Sequence, residues 1–175
     1  HSFPTRRSSD LGIVSTIDAL TTRHDVIVFD SEAHACLIDG KRLHLGQSFH
    51  FKHNDIVSCE NALKRATEIV AKTGGGILLI TEGVFGMTGA LGILDQIVEL
   101  KKKYQFRILI DDAHGFGVMG PTGRGTSEHF GVMDEIDLYI GAYAKSMATI
   151  GGFVAGPKYV IDYLRYNMRS QMYAK

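Results

Sequence analysis

The chain has 175 residues, 45% of them hydrophobic and 22% charged, with Lys+Arg and Asp+Glu equal at 19 and a formal net charge of +0. That balance leaves no basic footprint for nucleic acid or an anionic membrane, and no apolar run approaches the length of a transmembrane span. The size suits one domain with a real core, and two cysteines, Cys36 and Cys59, without metal-ligand spacing, fit a reduced cytoplasmic setting.

Residues 1–11, from His1 to Leu11, open without Met and show no useful periodicity. They read as a non-native leader, the translation of sequencing-adapter read-through, joined to a partial domain over residues 12–175. The first strand is predicted at Val26-Ile27-Val28-Phe29, before Asp30. A helix follows over Asp55 to Lys72, with Asn54 or Asp55 as its cap. After Gly74-Gly75-Gly76, the run Ile77-Leu78-Leu79-Ile80-Thr81 predicts a second strand. Leu94, Ile97, Val98 and Tyr104 then make one apolar helical stripe beside the solvated Lys101-Lys102-Lys103. Further strands are predicted at Ile108-Leu109-Ile110, Leu138-Tyr139-Ile140 and Gly152-Phe153-Val154-Ala155. Pro157 suits the first turn of a last helix carrying Val160, Ile161, Leu164 and Met168. Near-continuous apolar strands alternating with helices predict an α/β fold of three layers around a mostly parallel sheet.

Chemistry gathers where strands end. The run Phe106 to Ile110 stops at Asp111-Asp112-Ala113-His114, and the carboxyl edge of an open α/β sheet is where ligands sit. A carboxylate and an imidazole there, ahead of Gly141-Ala142-Tyr143-Ala144-Lys145-Ser146, suggest a site for a cationic ring cofactor, foremost pyridoxal phosphate (PLP). A carboxylate at Asp111 keeps a pyridine nitrogen protonated, although Asp111 or Asp112 equally suits a cap after a strand. His114 has the reach to bond a phenolic oxygen, and alone it reads as a loop histidine. A metal reading of Asp-Asp-Ala-His lacks further ligands, so no metal is expected. Lys145 suits Schiff-base chemistry, and its small neighbours predict a crowded internal site. His34 has the form of a helix-start residue and of a flat group for a ring face. Gly115-Phe116-Gly117-Val118-Met119-Gly120 matches G-x-G-x-x-G only formally, because Pro121, Gly123 and Gly125 deny it the helix a dinucleotide fingerprint needs.

Asp30-Ser31-Glu32-Ala33-His34-Ala35, Lys52-His53-Asn54-Asp55, Thr81-Glu82-Gly83-Val84-Phe85-Gly86-Met87, Asp111-Asp112-Ala113-His114-Gly115, Gly123-Arg124-Gly125 and Ala144-Lys145-Ser146 occur in one order. As a set they resemble the α-oxoamine synthases of the fold-type-I PLP enzymes, the group of glycine C-acetyltransferase, 8-amino-7-oxononanoate synthase and serine palmitoyltransferase. The resemblance implies the large-domain fold of that class. It implies that Lys145 carries the cofactor covalently, Asp111 pairs with its ring nitrogen, His114 meets its phenolic oxygen and His34 stacks on the ring. Lys145 and His34 would be catalytic. It further implies condensation of an amino acid (glycine, serine or alanine) with an acyl-CoA in a cytoplasmic homodimer. Gly86 and Ala142 depart from the hydroxyl residues common in relatives. An upstream Gly-rich loop and a downstream smaller domain would lie outside this stretch, and Gln171 to Lys175 would approach a partner's phosphate site, so the fragment alone is expected to be inactive. An aminotransferase on the same fold, or a non-catalytic remnant, are the competing readings.

Overall fold

The apolar runs become strands because β-branched and large aliphatic side chains fit a pleated surface buried on both faces. The computed structural model describes residues 2–5 and 9–172, with side chains from residue 10 to residue 170. The strands are β1 (Ser2–Thr5), β2 (Val26–Asp30), β3 (Gln47–Phe51), β4 (Ile77–Glu82), β5 (Arg107–Asp111), β6 (Leu138–Ala142) and β7 (Gly152–Ala155). They form one sheet in the order β1-β7-β6-β5-β4-β2-β3. From β3 to β6 every pairing is parallel, while β7 runs antiparallel to β6 and to β1.

Parallel neighbours need crossovers, and helices supply most of them. They are α1 (Ser9–Leu20), α2 (Ala35–Leu43), α3 (Ile56–Thr73), α4 (Leu94–Glu99), α5 (Thr126–Phe130), α6 (Lys158–Asn167) and α7 (Arg169–Met172). Strand alternation divides the sheet's side chains between two cores. Val26, Val28, Leu79, Ile108 and Ile110 pack with Cys59, Leu63 and Ala66 of α3 and Leu94 and Ile97 of α4. Ile27, Ile80, Leu109 and Ile140 pack on the other face with Ile13 and Ile17 of α1, Leu37 of α2 and Ile161 and Leu164 of α6. The result is the expected three-layer, mostly parallel α/β architecture.

Some elements differ from the sequence reading. β3 is polar enough, Gln47-Ser48-Phe49-His50-Phe51, to escape a hydrophobicity argument; it forms at the sheet's end, where one ladder to β2 suffices. Pro157 is the N-cap of α6 rather than its first turn. The apolar face of α6 is covered by its own fold, since Ile161, Leu164 and Met168 are all buried in the α1–α2 core. Residues 1–11, set aside as a leader, are in part regular: Ser2–Thr5 pairs with β7 and Ser9 opens α1. That pairing speaks to conformation, not to origin. Residues 173–175, at the end of the segment implied to approach a partner, lie outside the described residues.

Candidate active site

Because β2, β4, β5 and β6 are parallel, their carboxyl ends open on one edge; Asp111 closes β5 there, and His34, His114 and Lys145 follow the ends of β2, β5 and β6. An open cavity of about 840 Å³ lies at the opposite edge, bordered by Asp25, Gly76, Tyr104 and Asp137, and holds none of the four.

Asp111 closes β5, in register with Glu82 of β4 and Ile140 of β6. Alternation turns it with Leu109 toward the α1–α2 side. It is 5% exposed, and one carboxylate oxygen accepts from the N–H of Ala113 at 3.1 Å. Burial pushes its carboxyl up to about 6, against the pull of that bond and of His34. Glu82 is 4% exposed on the same face; burial, and then the charge of Asp111, push it up to about 7. Two neighbouring buried acids thus resist ionising together.

His34 is the N-cap of α2, and its Nδ1 accepts from the N–H of Cys36 at 3.3 Å. The backbone N–H of His34 donates to Glu82 Oε1 at 2.5 Å. Cys36 Sγ lies 2.9 Å from His34 Nδ1. Asp10, His34 and Cys36 bring their ligand atoms within 4.8 Å of one another. This is not a ready metal site: burial and nearby carboxylates push the Cys36 thiol up, and His34 Nδ1 is already engaged.

His114 is half-buried. Burial, then the nearby Lys145 and His34, hold its imidazole below the ordinary value, which places the three groups within electrostatic reach. Its ring lies over Gly86: a Cβ there would stand 2.5 Å from His114 Cε1, so a side chain at this position would require the ring to shift. Asp112 faces away from Asp111 and is a structural group. It is 3% exposed and accepts from the Thr126 N–H at 2.8 Å and the Thr126 hydroxyl at 2.6 Å. A Cβ at Gly83, Gly115 or Gly125 would collide with its carboxylate, and Gly125 has φ 103. The Gly115–Gly120 segment is a chain of turns, with α5 opening only at Thr126. It shapes the loop, as expected, and carries no dinucleotide fingerprint.

Lys145 departs from expectation. It lies three residues beyond β6 on an exposed loop, not in a crowded interior. The small residues beside it, Ala144 and Ser146, are themselves exposed, because the loop rises past the sheet edge, where no described element covers it. The loop closes through Tyr143 N–H to Gly151 O and Thr149 N–H to Tyr143 O, with Ala148 at φ 49. It meets the glycine loop where a Cβ on Gly117 would stand 2.5 Å from Ser146 Oγ. Sequence reasoning assigned no role to Glu82, although its place at the end of a predicted buried strand was a usable signal.

The sequence matches the aminotransferase class I and II family over residues 9–174. The chain belongs to that family. It is 62% identical over 94% of its length to a cysteate-C-fatty acyltransferase of Capnocytophaga ochracea, of which it covers 39%. It superposes with TM-score 0.91 on a serine palmitoyltransferase of Sphingomonas wittichii, at 30% identity, over 99% of this chain and 42% of that one. A second solved serine palmitoyltransferase, described as holding PLP, matches at TM-score 0.90 and 27% identity over 99% of this chain and 42% of that one. The family member described here therefore spans about two fifths of the length of these relatives. Their names bear out the resemblance to the α-oxoamine synthases read from the motifs.

Proposed function

We propose that this family member is the cofactor-binding part of a PLP-dependent C-acyltransferase that joins an amino acid to a fatty acyl thioester. The observation that carries the reading is the juxtaposition of a buried carboxylate, Asp111, with two imidazoles and a lysine on one sheet edge. The relative at 62% identity, named for cysteate and a fatty acyl group, supports that substrate class.

The donor set fits the group. A carboxylate held out of water gains from a cationic ring nitrogen, which restores its ionised form. An amine on an exposed loop is open to an aldehyde. When bound, PLP supplies an electron sink for the substrate's α-carbon. Asp111 would hold the proton on the ring nitrogen, His114 would donate to the phenolic oxygen, and His34 would cover a ring face and shield it from water. Lys145 would anchor the cofactor through Nζ, and the same amine, once free, would take the substrate's α-proton. The bond formed would join the α-carbon to the acyl carbon, and the bond broken would be the thioester C–S bond, whose sulfur leaves as the thiol.

In the proposed parent the protein is a cytoplasmic homodimer. Two free cysteines support that setting. Among the described residues no helix is long and apolar enough to cross a membrane. The test adds PLP and then borohydride, and maps the label by mass spectrometry. Label on Lys145, lost in Lys145→Ala, is the expected result; label elsewhere sinks the reading. In a full-length parent, release of free CoA that requires both a fatty acyl-CoA and cysteate, serine, glycine or alanine separates acyl transfer from transamination. A parent that exchanges amino groups with a 2-oxo acid and releases no CoA is an aminotransferase. The 175-residue chain alone is expected to give no turnover.

A further inference from the structure

We propose that Glu82 is the positioning residue of this site. Its buried carboxylate takes the backbone N–H of His34, and so sets where the imidazole of His34 stands beside Asp111. The inference rests on the proposed reading of this edge as the cofactor site, while the contacts themselves involve only this chain.

Glu82 ends β4, a central strand whose six residues are all buried, so its backbone is among the most firmly held at this edge. Its carboxylate accepts from the N–H of His34 at 2.5 Å, and the N–H of Gly86 also stabilises its ionised form. Helix α2 needs that outside acceptor. In a capping box, a Glu or Gln at the third helical position bonds back to the N–H of the cap residue. Here that position is Leu37, which has no acceptor and lies in the core. Glu82 supplies the missing bond from another element and ties the entry of α2 to the sheet.

The arrangement is a poor one for stability alone. A second buried acid beside Asp111 is electrostatically unfavourable, and an apolar or amide side chain would avoid that repulsion. An acceptor retained at such a cost marks a constraint on the site.

The test compares Glu82→Gln, Glu82→Asp and Glu82→Ala with the parent chain. The readouts are backbone amide exchange at His34, PLP affinity from absorbance titration, and the global unfolding midpoint. Gln keeps an acceptor at the right reach and loses the charge; Asp keeps the charge and withdraws the acceptor by one methylene. The expected result is that Gln stays within about threefold of the parent in exchange and affinity, while Asp and Ala lose on the order of tenfold in both. Amides in β4 serve as the control for global destabilisation. If Ala does not fold, the Gln and Asp variants decide. Loss in Gln equal to that in Asp, or parent-like exchange at His34 in every variant, overturns the proposal. A parent that takes up no PLP removes the cofactor reading, while the exchange data still judge Glu82. PLP binding equal in the parent and all variants removes the role of Glu82 and leaves the cofactor reading standing.

Discussion

Asp111 and Asp112 are adjacent, identical and almost equally buried, yet alternation at the end of β5 gives them opposite tasks. Asp111 faces the edge shared with Glu82 and His34; Asp112 is spent on Thr126 and a cage of glycines. In a full-length parent loaded with PLP, Asp111→Asn is expected to leave the cofactor attached to Lys145 but to slow exchange of the substrate's α-proton on the order of 10²-fold, because an amide does not hold a ring-nitrogen proton as a carboxylate does. Exchange near the parent rate would remove that role. The raised acids also set a pH dependence in the free chain. Asp111 and Glu82 hold protons in the fold that the unfolded chain has already lost, so their contribution to stability is full below their ordinary values near 4. It declines as pH rises through about 6 and 7, and is flat above. Urea unfolding at pH 5 and pH 8 is expected to show that decline, and Glu82→Gln to reduce it by roughly 1–3 kcal/mol. A parent more stable at pH 8 than at pH 5 by the same probe, with Glu82→Gln unchanged, would contradict it.

At the scale of elements, what the sequence made legible was what local chemistry decides. Asp55 caps α3 as expected, accepting from the Ser58 N–H at 3.0 Å, and Gly74 ends the helix at φ 73. Asp55→Ala should cost about 1 kcal/mol in urea unfolding, the usual price of an N-cap. The loop from Asp112 to Thr126 was legible only as Gly-rich. Its internal order depends on one carboxylate meeting two donors of Thr126 fourteen residues away, a contact no local pattern encodes. Asp112→Ala should therefore cost more than the cap, about 2–3 kcal/mol, by leaving buried donors unpaired. Equal losses for the two variants would show that solvent satisfies Thr126. β3 escaped prediction for a related reason, since its identity as a strand comes from the ladder offered by β2 rather than from its own alternation.

For the whole molecule, the sheet order brings together groups that are more than a hundred residues apart in sequence, His34 and Lys145 among them. Lys145 stands open to solvent at an edge where Met87, Val118, Met147 and Ile150 are also exposed. A complete parent is expected to sediment as a homodimer whose dissociation lowers PLP retention; a fully active monomer would refute that arrangement. Strand runs, helix stripes, the cap of α3 and the clustering of acid, imidazole and amine after strand ends were determined by the sequence itself, because propensity, periodicity and spacing act over a few residues. Only the tertiary structure decided that Glu82 stands beside Asp111 and holds the N–H of His34, that the ring of His114 lies over Gly86 and that Lys145 is exposed. Each of these turns on register between strands or on the approach of separate loops. Those are fixed by how the two cores pack on the sheet, and not by any stretch of sequence alone.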